Sequence, residues 1–146
     1  VYNEDVNKLI TRIHGDVLYL DPPYNARQYC SNYHVLETIA RYDYPELKGK
    51  TGLREPNGQK SKYCSKRTLE SEFEYLIANA NFRYIFLSYN NEGLMNVDAI
   101  KNIMSRYGIY RCFTQSYRRF KADKDKNRNI SGKETTEYLH CLIKEE

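Results

Sequence analysis

Apolar positions follow two different spacings along the chain, and each spacing predicts one kind of secondary structure. Apolar residues three and four positions apart predict helices over residues 6–13, 33–42, 69–80 and 97–107. Short apolar runs between polar residues predict strands over residues 16–21, 83–89, 109–117 and 137–143. The two kinds of element alternate until the last two strands, which have no helix between them.

This order of elements predicts an α/β fold with a mainly parallel sheet and helices on both faces. Strands that are separated by a helix pair in parallel, because the connection has to cross the sheet. The last two strands are joined directly, so we expect the last strand to be antiparallel. The length of 146 residues predicts a single domain over residues 1–146.

Two basic segments interrupt this pattern. Residues 43–67 form a long polar insertion without periodicity, and residues 48–67 within it hold seven Lys or Arg against one acid. Residues 118–136 form a charged connection in the last hairpin. The net charge of the whole chain is only +4, so the rest of the chain is acidic in balance. Such a distribution favours a phosphate-binding face, although basic loops are often simply solvated. The candidate phosphate-binding residues are Arg118, Arg119, Lys121, Lys124, Lys126 and Arg128.

The cluster Asp21-Pro22-Pro23-Tyr24 directly follows the first predicted strand. Ligands of open α/β sheets bind beyond the carboxyl ends of the strands, which is where this cluster lies. Two adjacent prolines stiffen the backbone and remove two donors, so Asp21 and the Pro22 carbonyl become two fixed acceptors. Two acceptors can hold both hydrogens of an exocyclic amine and free its lone pair, while Tyr24 offers a stacking surface for the base.

These residues and their surroundings resemble the DNA adenine-N6 methyltransferases, and in particular the Dam-like branch of that family. Asp-Pro-Pro-Tyr after an apolar strand is the family's catalytic signature. The similarity extends over residues 15–25, 87–93, 117–121 and 136–139. The resemblance implies a partial Rossmann-like methyltransferase sheet and S-adenosylmethionine as cofactor. It also implies a flipped-out adenine in double-stranded DNA as substrate, within a restriction-modification system.

Individual site residues follow from the same resemblance. Asp21 and the Pro22 carbonyl would bind the target amine, and Tyr24 would stack on the base. Asp5, in Asn3-Glu4-Asp5, resembles the family's acidic contact to the cofactor, and Asp21 is the second candidate cofactor-binding residue. An N-terminal helix cap is an equally good interpretation of Asp5.

One family element is absent from this sequence. No F-x-G-x-G string, the glycine-rich loop that makes room for the cofactor, occurs here. We therefore expect the chain to be a catalytic half that needs a missing N-terminal half, or that self-associates through an open sheet edge. Two alternatives stay open: an RNA or other amine methyltransferase with the same signature, and a truncated, non-catalytic nucleic-acid-binding remnant.

The remaining residues give weaker indications. The turn at residues 90–92 is a candidate wall of the pocket, or Asn91 simply caps the segment after the turn. Tyr117 or Phe120 could touch the flipped base, and His34 and His140 are interpreted as structural. The four cysteines occur singly, which predicts no metal site and a reduced, cytoplasmic protein. No apolar run is long enough to predict a membrane span.

Overall fold

The computed structural model describes residues 1–56, 58–118 and 134–144. The strands are β1 (His14–Leu20), β2 (Leu47–Lys48), β3 (Leu53–Arg54), β4 (Asn81–Asn90), β5 (Ile109–Arg118) and β6 (Glu134–Ile143). The helices are α1 (Val6–Leu9), α2 (Tyr29–Asn32), α3 (His34–Arg41), α4 (Leu69–Asn79) and α5 (Val97–Met104), and a 3-10 turn spans Lys62–Cys64.

Four strands form one sheet in the order β1-β4-β6-β5. Strand β1 pairs in parallel with β4, and β6 is antiparallel to both β4 and β5. Three strands therefore point in one direction and the last strand points in the other. The predicted α/β fold with an antiparallel last strand is confirmed.

The core lies between this sheet and three helices. Helices α4 and α5 contribute buried side chains to a core cluster that also contains Ile85, Leu87 and Leu142 of the sheet, each at most 1% exposed, and Val6 of α1 packs against this cluster. The opposite face of the sheet exposes Val17 and Tyr19, at 56% and 62%. Among the described residues, the helices that carry core side chains therefore pack on the face of the sheet opposite Val17 and Tyr19.

Several boundaries differ from those predicted. Helix α1 ends at Leu9 and not at residue 13, and β1 begins at His14, two residues early. Helix α5 ends at Met104, three residues before the predicted end. The chain then turns at Gly108, whose φ is +153°, and a Cβ there would lie 2.2 Å from the Ile143 carbonyl oxygen. Close pairing of β5 with β6 thus requires glycine at this position.

The polar insertion, residues 43–67, is more structured than its composition indicates. It contains the antiparallel pair β2–β3 and the 3-10 turn. Arg54 donates two hydrogen bonds to the Asp43 carboxylate, at 3.1 and 2.6 Å, which ties β3 to the end of α3. Tyr63 and Cys64 are 8% and 4% exposed, so this part of the segment contributes buried side chains.

The predicted basic connection is described only at its two ends. Strand β5 extends to Arg118 and β6 begins at Glu134, and these two residues face each other in the antiparallel register. The residues between them, which include Arg119, Lys121, Lys124, Lys126 and Arg128, lie outside the described residues.

Candidate active site

The Asp-Pro-Pro-Tyr cluster lies where β1 and β4 end side by side. The parallel register aligns Leu20 with Leu87, so Asp21 follows β1 at the edge of the sheet where Ser88 lies on β4. The Tyr24 hydroxyl donates to Oδ1 of Asp21 at 2.7 Å and lies 3.3 Å from the Ser88 Oγ. The structure therefore brings together the predicted residues Asp21 and Tyr24 and adds Ser88, which lies in the segment 87–93 that resembles the family but to which no role was assigned from the sequence.

Strand β4 and the connection after it hold Tyr24 in place. The ring packs edge-on against Tyr89, with centroids 5.2 Å apart and an interplanar angle of 71°. The backbone N–H of Leu94 donates to the Tyr24 carbonyl at 3.0 Å. A Cβ on Gly93 would come within 2.1 Å of the Tyr89 ring, so this connection can approach Tyr89 only with glycine at that position.

The electrostatic surroundings keep the Tyr24 phenol protonated. The pKa of Tyr24 is raised to about 12, and burial is the largest cause. The hydrogen bond to Asp21 and the negative charge of that carboxylate contribute to this rise, whereas the hydrogen bond with Ser88 opposes it. Tyr24 is therefore a hydrogen-bond donor at neutral pH.

A cavity of about 930 Å³ borders the cluster. Asp21 and Pro22 line one part of it, and the segment at residues 3–5 lines another. Asp5 also caps α1, because its Oδ1 accepts from the backbone N–H groups of Asn7 and Lys8 at 3.0 and 3.2 Å. The capping interpretation of Asp5 is confirmed, and its predicted contact to the cofactor stays a prediction.

Two tyrosines on the wall of this cavity were not identified from the sequence. The rings of Tyr29 and Tyr33 stack with centroids 5.6 Å apart and an interplanar angle of 15°, and both side chains are about half exposed. Their spacing of four residues just after the Asp-Pro-Pro-Tyr cluster was the available signal, since residues four apart meet on one side of a helical turn.

The turn after β4 has a structural role. Asn91 exchanges two hydrogen bonds with the backbone of Thr136, both 3.0 Å long, and so ties the turn to β6. Residues 90–92 do not line the cavity that borders Asp21. Tyr117 is 54% exposed on β5, and Phe120 lies outside the described residues.

His140 is a buried, uncharged residue of β6. Its Nδ1 lies 2.7 Å from the Tyr110 hydroxyl, and burial lowers its pKa to about 4. In the part of the chain that the structure describes, no three His, Cys, Asp or Glu side chains are grouped as metal ligands. No described helix is long and apolar enough to cross a membrane.

The fold and the cluster at its carboxyl edge are those of a methyltransferase-like α/β protein. The family model of the D12 class N6 adenine-specific DNA methyltransferases matches residues 1–103. The chain belongs to this family, which confirms the resemblance noted in the sequence.

Curated relatives support the same assignment. The type II methyltransferase M.NlaIII of Neisseria lactamica is 58% identical over 144 residues, which cover 99% of this chain and 42% of that protein. The type II methyltransferase M.FokI of Planomicrobium okeanokoites is 47% identical over 147 residues, which cover 99% of this chain and 22% of that protein. The chain thus spans less than half the length of either relative. No solved structure matches the chain significantly.

Proposed function

We propose that this chain carries the catalytic site of a DNA adenine-N6 methyltransferase that modifies a flipped-out adenine at specific sites. The observation that carries the proposal is the position of Asp21-Pro22-Pro23-Tyr24 at the carboxyl end of β1, beside a large cavity. Relatives named as type II methyltransferases favour a role in a restriction-modification system. Such an enzyme acts on the cell's own DNA, so we infer a cytoplasmic location.

The proposed chemistry depends on two acceptors of different origin. Asp21 accepts one hydrogen of the adenine N6 amine, and the carbonyl of Pro22 accepts the other. Both acceptors draw the nitrogen out of conjugation with its ring, so its lone pair becomes available for attack. Tyr24 stacks on the base, which offsets part of the few kcal/mol that flipping costs, since base–aromatic stacking is typically worth ~1–3 kcal/mol.

The cavity fits S-adenosylmethionine in size and chemistry. Its volume of about 930 Å³ suits a ligand of this size. Both carboxylate side chains and the stacked rings of Tyr29 and Tyr33 line the cavity. Asp5 is the residue that we expect to bind the cofactor, and Asp21 borders the same space. When bound, the cofactor supplies the methyl group that the amine accepts. The chain's own residues hold the base and orient its amine.

Double-stranded DNA is the proposed partner, and the last hairpin is its proposed contact. Strand β5 leads into a segment with seven Lys or Arg over residues 118–133. Phosphate contacts of this kind supply affinity without reading sequence. The description of the matching family model favours DNA over RNA as the substrate, and the alternative function is a non-catalytic nucleic-acid-binding remnant.

Product analysis tests this function. The protein that carries this chain is incubated with isotope-labelled S-adenosylmethionine and unmethylated genomic DNA, which contains every recognition sequence. The DNA is then digested to nucleosides and analysed by mass spectrometry. We expect the label on N6-methyladenine, and none in total RNA treated in parallel. Label on cytosine or confined to RNA contradicts the proposal, and absence of label from both nucleic acids supports the remnant.

A further inference from the structure

Ser88 is linked to the proposed catalytic carboxylate of Asp21 through the Tyr24 hydroxyl. Ser88 lies on β4, and its Oγ is 3.3 Å from the Tyr24 hydroxyl oxygen. The same Tyr24 hydroxyl lies 2.7 Å from Oδ1 of Asp21. Parallel pairing of β1 with β4 makes this contact possible although Ser88 and Tyr24 are 64 positions apart. Three side chains thus form one series of hydrogen bonds that ends on Asp21.

The available protons fix the direction of this series. A phenol has one proton, and Tyr24 donates it to the Asp21 carboxylate. The Tyr24 oxygen must therefore accept from Ser88, whose hydroxyl is the donor. Consecutive hydrogen bonds that point the same way polarise and strengthen one another. Protonation of Tyr24 at neutral pH agrees with its raised pKa.

We propose that Ser88 is a positioning residue, which acts through the Tyr24 hydroxyl to hold the Asp21 carboxylate in the orientation that binds the target amine. This inference rests on the proposed function. The Tyr24 hydroxyl engages Oδ1 of Asp21, which leaves Oδ2 for a hydrogen of the amine.

Asp21 needs such a support because it is exposed at the end of a strand. An exposed carboxylate samples several rotamers, and each rotamer other than the productive one lowers the rate. The Tyr24 ring is itself held edge-on by Tyr89. Ser88 adds a second polar contact to the Tyr24 hydroxyl, besides Asp21, and so helps to fix where this hydroxyl points.

The test is a double-mutant cycle on the single-turnover rate of methyl transfer to unmethylated genomic DNA. The variants are Ser88→Ala, Tyr24→Phe and the two combined, made in the protein that carries this chain. Ser88→Ala removes the hydroxyl that donates to Tyr24. Tyr24→Phe keeps the stacking ring but removes the hydroxyl that links Ser88 to Asp21. Ser88→Thr keeps a hydroxyl and serves as the rescue variant. Ser71→Ala, at an exposed serine of α4, is the matched control.

We expect Ser88→Ala to slow the single-turnover rate about 5-fold and Tyr24→Phe to slow it about 10-fold or more. The larger effect is expected for Tyr24→Phe because this variant loses the hydrogen bond to the charged Asp21 carboxylate, whereas Ser88→Ala loses a hydrogen bond between two neutral hydroxyls. The combined variant should be no slower than Tyr24→Phe, since Ser88 acts only through the Tyr24 hydroxyl. The KM for DNA should stay unchanged, Ser88→Thr should restore most of the rate, and Ser71→Ala should match the unmodified protein.

Two results overturn the inference. The first is a full rate for Ser88→Ala, and the second is a combined variant in which the two losses multiply, as they do for independent sites. Full turnover by Asp21→Ala in the same assay instead overturns the proposed function itself. The two failures are therefore distinguishable.

Discussion

His140 should make the protein less stable as the pH falls from about 7.5 to about 5. Its side chain is fully buried on β6, opposite Leu87 of β4 in the register. Its Nε2 has no hydrogen-bond partner among the described residues. An imidazolium at this place would lose its hydration without compensation, which is why burial lowers the pKa of His140 to about 4.

The size of the effect follows from the two pKa values. The unfolded chain protonates His140 near the ordinary pKa of about 6.5, whereas the folded protein does so only near 4. Because the folded pKa is depressed, the unfolded state takes up the proton first, and stability falls as the pH drops below about 6.5. These values predict that the free energy of unfolding is lower by roughly 2 kcal/mol at pH 5 than at pH 7.5. Below pH ~4 both states are protonated and the loss from this group stops increasing.

Urea unfolding at several pH values measures this loss. The matched variant is His140→Gln, which cannot titrate, while His14 and His34 are present in both proteins and cancel. We expect the unmodified protein to lose roughly 2 kcal/mol more than the variant between pH 7.5 and pH 5. Parallel pH profiles for the two proteins would refute the argument, because they would mean that His140 is charged when folded or is not buried.

Three further predictions concern the cofactor, the DNA and the sheet edge. Asp5→Asn should preserve the α1 cap but weaken binding of S-adenosylmethionine, whereas Asp5→Ala should also cost about 1 kcal/mol of unfolding free energy. Equal calorimetric affinity for the cofactor in all three proteins would remove Asp5 from the cofactor site. Neutralising Arg118, Arg119 and Lys121 together should weaken binding to all DNA sequences alike. It should also reduce the slope of the logarithm of the binding constant against the logarithm of the salt concentration by about 3. A changed sequence preference at constant slope would instead make this hairpin a base reader. The isolated chain should self-associate through β1, which pairs with β4 alone among the described residues. Analytical ultracentrifugation that finds a monodisperse 17.4 kDa monomer speaks against this.

Local signals in the sequence were sufficient for the elements that place the site. The apolar run before Asp21 identified β1, and the prolines after it showed where that strand had to stop. The missing helix between the last two strands predicted that β6 is antiparallel. Each of these inferences depends on neighbours along the chain, which a single sequence displays directly.

Features that depend on distant residues could not be predicted in the same way. The position of β6 between β4 and β5 depends on pairing across many residues, so the strand order was not foreseen. In the hairpin β2–β3, Arg54 of β3 contacts Asp43, and the buried Tyr63 donates a hydrogen bond to Asn7, 56 positions away. The contact of Ser88 with Tyr24 could not be predicted for the same reason, since it depends on the pairing of β1 with β4.

The most direct test of the central claim compares two aspartates of the same segment. Asp21 follows the carboxyl end of β1, whereas Asp16 is an exposed residue near the strand's other end. Single-turnover transfer of a labelled methyl group to unmethylated genomic DNA is measured for Asp21→Ala and Asp16→Ala, with cofactor binding checked separately. We expect Asp21→Ala to bind cofactor but to form no N6-methyladenine, and Asp16→Ala to keep the rate of the unmodified protein. Near-normal formation of N6-methyladenine by Asp21→Ala would contradict the catalytic role of Asp21.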